Sequence, residues 1–220
     1  VYTATATYTA TPTITRNDYN TFTASESSAE YYFISKTQTT KPSASATGWS
    51  KTASQDVSTT AKETWYVWIK DSSGNVSSNS ATITNYKVSL TAYAGTSISA
   101  KADSASGTNL ASNTYVLANT PVYPTGVLST GYNTLVVKKG NTTITNGSSQ
   151  TITADTTFSS SATPNTYTVN FNKNDSAATG TMPAQILTYD ASSTLTPNAF
   201  SKTGYVFDSW NTAANGSGTS

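Results

Sequence analysis

Tyr167-Thr-Val-Asn-Phe171 opens a stretch that closes on Lys202-Thr-Gly-Tyr-Val-Phe-Asp-Ser-Trp-Asn-Thr-Ala-Ala-Asn-Gly-Ser-Gly-Thr219. Between these lie Thr179-Gly-Thr-Met-Pro183, Leu187-Thr-Tyr189 and Ser193-Thr-Leu195. Residues alternate between apolar or aromatic and small polar types, which is the period of a strand with one face packed and one face wet. Gly and Pro punctuate the alternation where turns are needed. Upstream, Tyr86-Lys-Val-Ser-Leu90 repeats the alternation of Tyr167–Phe171, and Gly131-Tyr-Asn-Thr-Leu-Val-Val137 parallels Gly204-Tyr-Val-Phe-Asp-Ser-Trp210. Residues 85 to 163 therefore read as a divergent copy of the module that begins near Asn165, with Pro164-Asn165 as the linker.

The motif series Tyr-Thr-Val-x-Phe, a Gly-rich turn, Thr-Met-Pro, Leu-x-Tyr and Lys-Thr-Gly-Tyr-x-Phe-x-x-Trp-Asn-Thr, ending on Gly-x-Gly-Thr, resembles the Listeria–Bacteroides (internalin B-type) repeat. The resemblance covers residues 166 to 220, about a quarter of the chain. It implies a small β-grasp-like module of a bacterial surface protein, extracellular and attached to the cell surface or wall, with no catalytic role. Trp210 matches an aromatic position of that family and is expected to pack on Tyr205 or Phe207.

The first 84 residues carry a different pattern. Tyr2 to Thr9 alternates strictly, and Pro12 closes that strand or confines it to a sheet edge. Residues 29 to 36 read as a strand. A polar loop, Lys41 to Trp49, leads to the strongest strand of this half, Thr64-Trp-Tyr-Val-Trp-Ile-Lys70. Asp71-Ser-Ser-Gly-Asn75 is then a hairpin turn, and Val76 to Thr84 returns. The series resembles bacterial immunoglobulin-like domains. The expected architecture is all-β with minor α+β character: an immunoglobulin-like sandwich over 1–84, a divergent β-grasp-like repeat over 85–164, and a module over 165–220 without its closing strand. Residues 1–84 are expected to unfold independently, and the last module to pair with a strand of another chain.

Composition agrees with a β-rich surface chain. Ser and Thr supply about a third of the residues, and Thr suits a pleated sheet. The chain has 220 residues, a net charge of +1 and only 10% charged residues. Such a chain offers no basic stripe for nucleic acid, and no apolar run long enough to enter a membrane. Cysteine is absent, which excludes disulfides and thiol chemistry.

Histidine is absent as well, removing the commonest general base and metal ligand. No cofactor is expected. Eleven carboxylates remain, and a glycosidase needs two of them across a cleft. All three Glu residues lie in the first module, and modules this small leave little room for a deep cleft, so a non-enzyme is expected. Asp71–Asn75 offers one carboxylate where a calcium loop uses several.

The aromatics carry the binding hypothesis. In β geometry Trp65, Val67 and Ile69 share one face, read as core, while Tyr66 and Trp68 share the other. An outward Tyr66–Trp68 pair can stack on a sugar ring, with Tyr31 or Tyr32 beside it; alternatively the pair packs under a loop. The leading functional expectation is a stalk or adhesin segment that spaces and displays other domains, with host or bacterial surface glycans or proteins as partners. The alternative is a carbohydrate-binding module or an accessory region of a secreted glycoside hydrolase.

Overall fold

The computed structural model describes residues 7 to 220, so most of the alternating segment from Tyr2 lies outside the described residues. Among the described residues there is no helix, and the fold is all-β. The chain divides into two compact units, Val1–Ser129 with Leu135–Ala162, and Thr130–Thr134 with Thr163–Ser220.

In chain order the strands are β1 (Thr13–Arg16), β2 (Thr21–Ser25), β3 (Tyr31–Ser35), β4 (Ser54–Asp56), β5 (Thr64–Lys70), β6 (Ala81–Ala92), β7 (Thr96–Ala102) and β8 (Thr108–Leu110). They continue as β9 (Thr114–Leu117), β10 (Pro121–Leu128), β11 (Tyr132–Lys139), β12 (Thr142–Ile144), β13 (Gln150–Thr151), β14 (Thr156–Pro164), β15 (Thr166–Val169) and β16 (Gln185–Thr188).

The first unit is organised by β6. Its sequence, Ala81-Thr-Ile-Thr-Asn-Tyr-Lys-Val-Ser-Leu-Thr-Ala92, alternates without Gly or Pro, so nothing ends the strand midway. Ala81–Thr84 pairs antiparallel with β5, Asn85–Val88 with β9, and Val88–Ala92 runs parallel to β14. Val88 is paired with both Thr114 and Thr156, so β9 and β14 take opposite edges there. The resulting sheet runs β12-β11-β14-β6-β5-β3 with β9 beside β6. Two smaller sheets, β1-β2-β4 and β13-β10-β7-β8, complete the unit.

Two apolar clusters fill it. One gathers Phe22, Ala24, Val57, Val67 and Leu117, with Tyr32, Ile34, Trp65 and Ile83 against it. The other gathers Val88, Ala100, Val116, Val122, Ile152 and Phe158, with Tyr19 and Tyr86 against it. Leu117 from β9 thus sits in the core of the first 84 residues, and Tyr19 packs on the core that follows.

The sequence division at 84/85 falls inside β6, and side chains bind the two halves across it. Asn85 is 1% exposed. Its Oδ1 accepts from the Glu63 N–H at 2.6 Å, and its Nδ2 donates to the Ser58 and Ala61 carbonyls at 2.7 and 2.8 Å. A buried amide is tolerated only when satisfied in this way. The Arg16 guanidinium pairs with the Asp103 carboxylate, whose other oxygen accepts from the Tyr19 N–H at 2.9 Å. This geometry ties residues 1–84 to those that follow, with no polar linker between them.

The second unit is sparser. β15 and β16 form a two-stranded antiparallel sheet in which Tyr167 faces Leu187, and Thr179 bridges Ser201. Its aromatic cluster centres on Trp210, with ring centroids 4.7 Å from Phe171, 4.9 Å from Phe207 and 6.2 Å from Phe200. Trp210 therefore packs on Phe207, while Tyr205 turns away under the Lys202 ammonium, 4.0 Å from its ring centre. Elsewhere in this unit Tyr132 meets Tyr189 edge to face at 5.6 Å. Gly131 beside them has φ of 84°, and a Cβ there would lie 2.3 Å from the Tyr189 ring, so this position needs glycine on both counts.

Candidate functional site

The pairing of β3 with β5 sets the aromatic face. Tyr31 lies opposite Lys70, Phe33 opposite Trp68 and Ser35 opposite Tyr66. Tyr32, Ile34 and Val67 take the other face and enter the core, with half-buried Trp65 against it, as the alternation requires. Tyr66 and Trp68 share their face with Tyr31 and Phe33, as the sequence predicts, whereas Tyr32 does not belong to it.

That face is covered. The loop from Thr37 to Trp49 folds over it because its carbonyls find donors there. The Trp68 indole N–H donates to the Gln38 carbonyl at 2.9 Å, and Lys70 Nζ donates to the Ala44 carbonyl at 3.0 Å. The Trp49 indole N–H donates back to Ser43 at 2.9 Å, and its ring stands edge-on to Phe33 at 5.5 Å. Lys70 Nζ lies 4.8 Å from the ring centres of both Tyr31 and Trp49. Trp68 is 5% exposed, so its ring has no free face for a sugar, and Tyr66 is half-buried. Of the expected pair, neither residue is an open stacking platform. The signal for this cover was in the sequence: a polar loop that ends on a Trp sits opposite an outward Trp.

The carboxylates are engaged in structural contacts. Burial pushes Glu63 up, but the Ser58 N–H, Lys36 Nζ at 2.9 Å and the Trp65 indole N–H at 3.0 Å outweigh it and hold the carboxyl below its usual range. Glu26 is held down at about 2, first by the Ser28 hydroxyl and then by the Tyr8 phenol at 2.8 Å. Asp71 is lowered chiefly by the Asn75 side chain at 2.8 Å. Its Oδ1 also caps the Ser73 and Asn75 N–H groups, and Gly74 takes φ of 86°, so this segment is a closed hairpin turn. The Lys202 ammonium lowers Asp175. Every carboxylate with a displaced pKa is stabilised as the anion, the opposite of what a general acid needs.

Among the described residues no cluster of three or more His, Cys, Asp or Glu has metal-binding geometry, and no helix is long and apolar enough to cross a membrane.

The second unit leaves large apolar side chains in water. Val206 is 93% exposed and Tyr205 69%, in the segment whose counterpart in the first unit lies within β11. A groove runs between Val169–Lys173 on one side and Tyr205–Trp210 on the other, floored by Phe171, Phe200 and Trp210. These residues carry the motif spacing of the carboxy-terminal stretch.

Residues 167–220 match the Listeria-Bacteroides repeat domain. This is a repeat family of bacterial surface proteins. No curated protein and no solved structure matches the chain. The repeat thus covers the whole second-unit segment from Tyr167 onward, and its Trp210 is the centre of that unit's aromatic cluster.

Proposed function

We propose that the chain is a non-catalytic spacing segment of a bacterial cell-surface protein, extracellular and serving to hold other domains away from the wall. The observation that carries this reading is the repeat match over 167–220, because that family is built from surface-protein repeats. Within it, residues 1–84 are read as an immunoglobulin-like sandwich and 85–164 as a divergent copy of the last module. The strand positions of Tyr86–Leu90 in β6 and Tyr167–Val169 in β15 support the copy.

The physical character of the chain suits such a role. A Ser/Thr-rich surface stays wetted with little charge, and the aromatic face most suited to a glycan is folded under its own loop. The non-enzymatic reading is supported by the absence of histidine and by the downward displacement of Glu26, Glu63, Asp71 and Asp175.

A glycan array probed with the whole chain, with Tyr66→Ala alongside, separates spacing from adhesion. Spacing gives no saturable signal. A saturable signal lost in Tyr66→Ala establishes the carbohydrate-binding alternative instead.

A further inference from the structure

In the first unit β14 lies between β11 and β6. Its residues Thr156–Ser160 run parallel to Val88–Ala92, with Phe158 opposite Leu90 and fully buried. The sequence repeat equates Tyr86–Leu90 with Tyr167–Phe171, and Gly131–Val137 with Gly204–Trp210. The two segments that flank β14 in the first unit therefore have counterparts in the second. In the second unit those counterparts face each other across the groove, and no strand lies between them. β15 is paired on one edge, by β16, and Tyr205–Trp210 belongs to no sheet. Val206 and Phe207 are 93% and 49% exposed where the β11 counterpart has a strand on either side.

We propose that this groove is a strand-acceptor site. It takes a separate extended polypeptide segment with the pattern of β14, running parallel to β15. A bare strand edge supplies backbone N–H and C=O groups for such a segment, and alternate side chains supply selectivity. The segment carries one aromatic or large aliphatic residue at the position of Phe158, which enters among Phe171, Phe207 and Trp210 just as Phe158 sits on Leu90. Its flanking residues are small and polar, like Thr157 and Ser159. It is uncharged, because the groove's own charges balance: Lys173 and Lys202 stand against Asp175 and Asp208, and Lys202 already pairs with Asp175 at 2.5 Å. The site is independent of the spacing role; if it fails, that reading stands unaltered.

The test is a titration of the full chain with a synthetic peptide of residues 156–163, followed by backbone amide shifts in NMR. A peptide of the same composition in scrambled order serves as the control. The expected result is saturable one-to-one binding, with shifts confined to Val169–Lys173 and Tyr205–Trp210. The scrambled peptide binds at least about tenfold more weakly. Val206→Pro removes one N–H from the acceptor edge at a side chain that packs against almost nothing, and it weakens binding by a similar factor while the rest of the spectrum is unchanged. The proposal is overturned by equal binding of the scrambled peptide, or by no saturation at millimolar peptide. It is also overturned if the same amides shift with chain concentration alone, which would make a second copy the occupant.

Discussion

Asp103 holds Arg16 across the two halves of the first unit. One carboxylate oxygen takes the guanidinium from the end of β1, and the other takes the Tyr19 N–H. Both partners are about one-quarter exposed, so solvent screens the pair only in part. Asp103→Ala removes the ion pair and leaves the Tyr19 N–H without its acceptor. We expect a loss of about 1–3 kcal/mol in urea unfolding, larger than for Arg16→Ala, which leaves the Tyr19 bond intact.

Asn85 is the second such tie. Asn85→Leu keeps the volume and removes three hydrogen bonds to the 58–63 loop. The Glu63 N–H and two carbonyls then lose their partner, and we expect at least about 2 kcal/mol of destabilisation of the whole first unit. Chemical denaturation followed by circular dichroism measures it.

Trp68→Ala tests the covered face. A buried indole with its N–H bonded to Gln38 is a packing residue, so truncation costs about 3–5 kcal/mol. A change below about 1 kcal/mol would mean that the loop does not cover it in solution.

Glu26 gives a pH dependence. Its folded pKa of about 2 lies below the ordinary 4.5, so the stability it contributes is fully present above about pH 4.5. That contribution is lost as pH falls through the folded pKa, because the unfolded chain binds the proton first. Melting temperature should drop between pH 4.5 and 2, and the drop should be shallower in Glu26→Gln, measured by calorimetry in that window.

Much of this was legible in the residues. The alternation of Thr64–Lys70 placed Val67 and Ile69 in the core and Trp68 opposite, because a strand's two faces are fixed by period alone. The Asp71–Asn75 turn and the repeat from Tyr167 were equally plain, since turn chemistry and motif spacing are local. What escaped was long-range pairing. The unbroken pattern of Ala81–Ala92 was visible, but the likeness of Tyr86–Leu90 to Tyr167–Phe171 drew a boundary through it. That β6 serves β5, β9 and β14 in turn depends on partners up to 75 residues away in sequence, for example Val67 with Ala81 against Phe158 with Leu90. The cover over Trp68 escaped for a related reason: alternation sets which way a side chain points, while a loop's backbone decides what lies over it.

The central structural claim is that the first unit is a single body strung on β6. Native-state hydrogen exchange of the full chain in rising urea tests it directly, through the amides of Val67 and Ile69 in β5 and of Ala100 and Phe158 beyond the 84/85 position. The account predicts that all four are released at one common opening free energy, with Asp103→Ala lowering them together. Release of the β5 amides at a distinctly different free energy, unaffected by Asp103→Ala, would contradict it and make residues 1–84 a separate module.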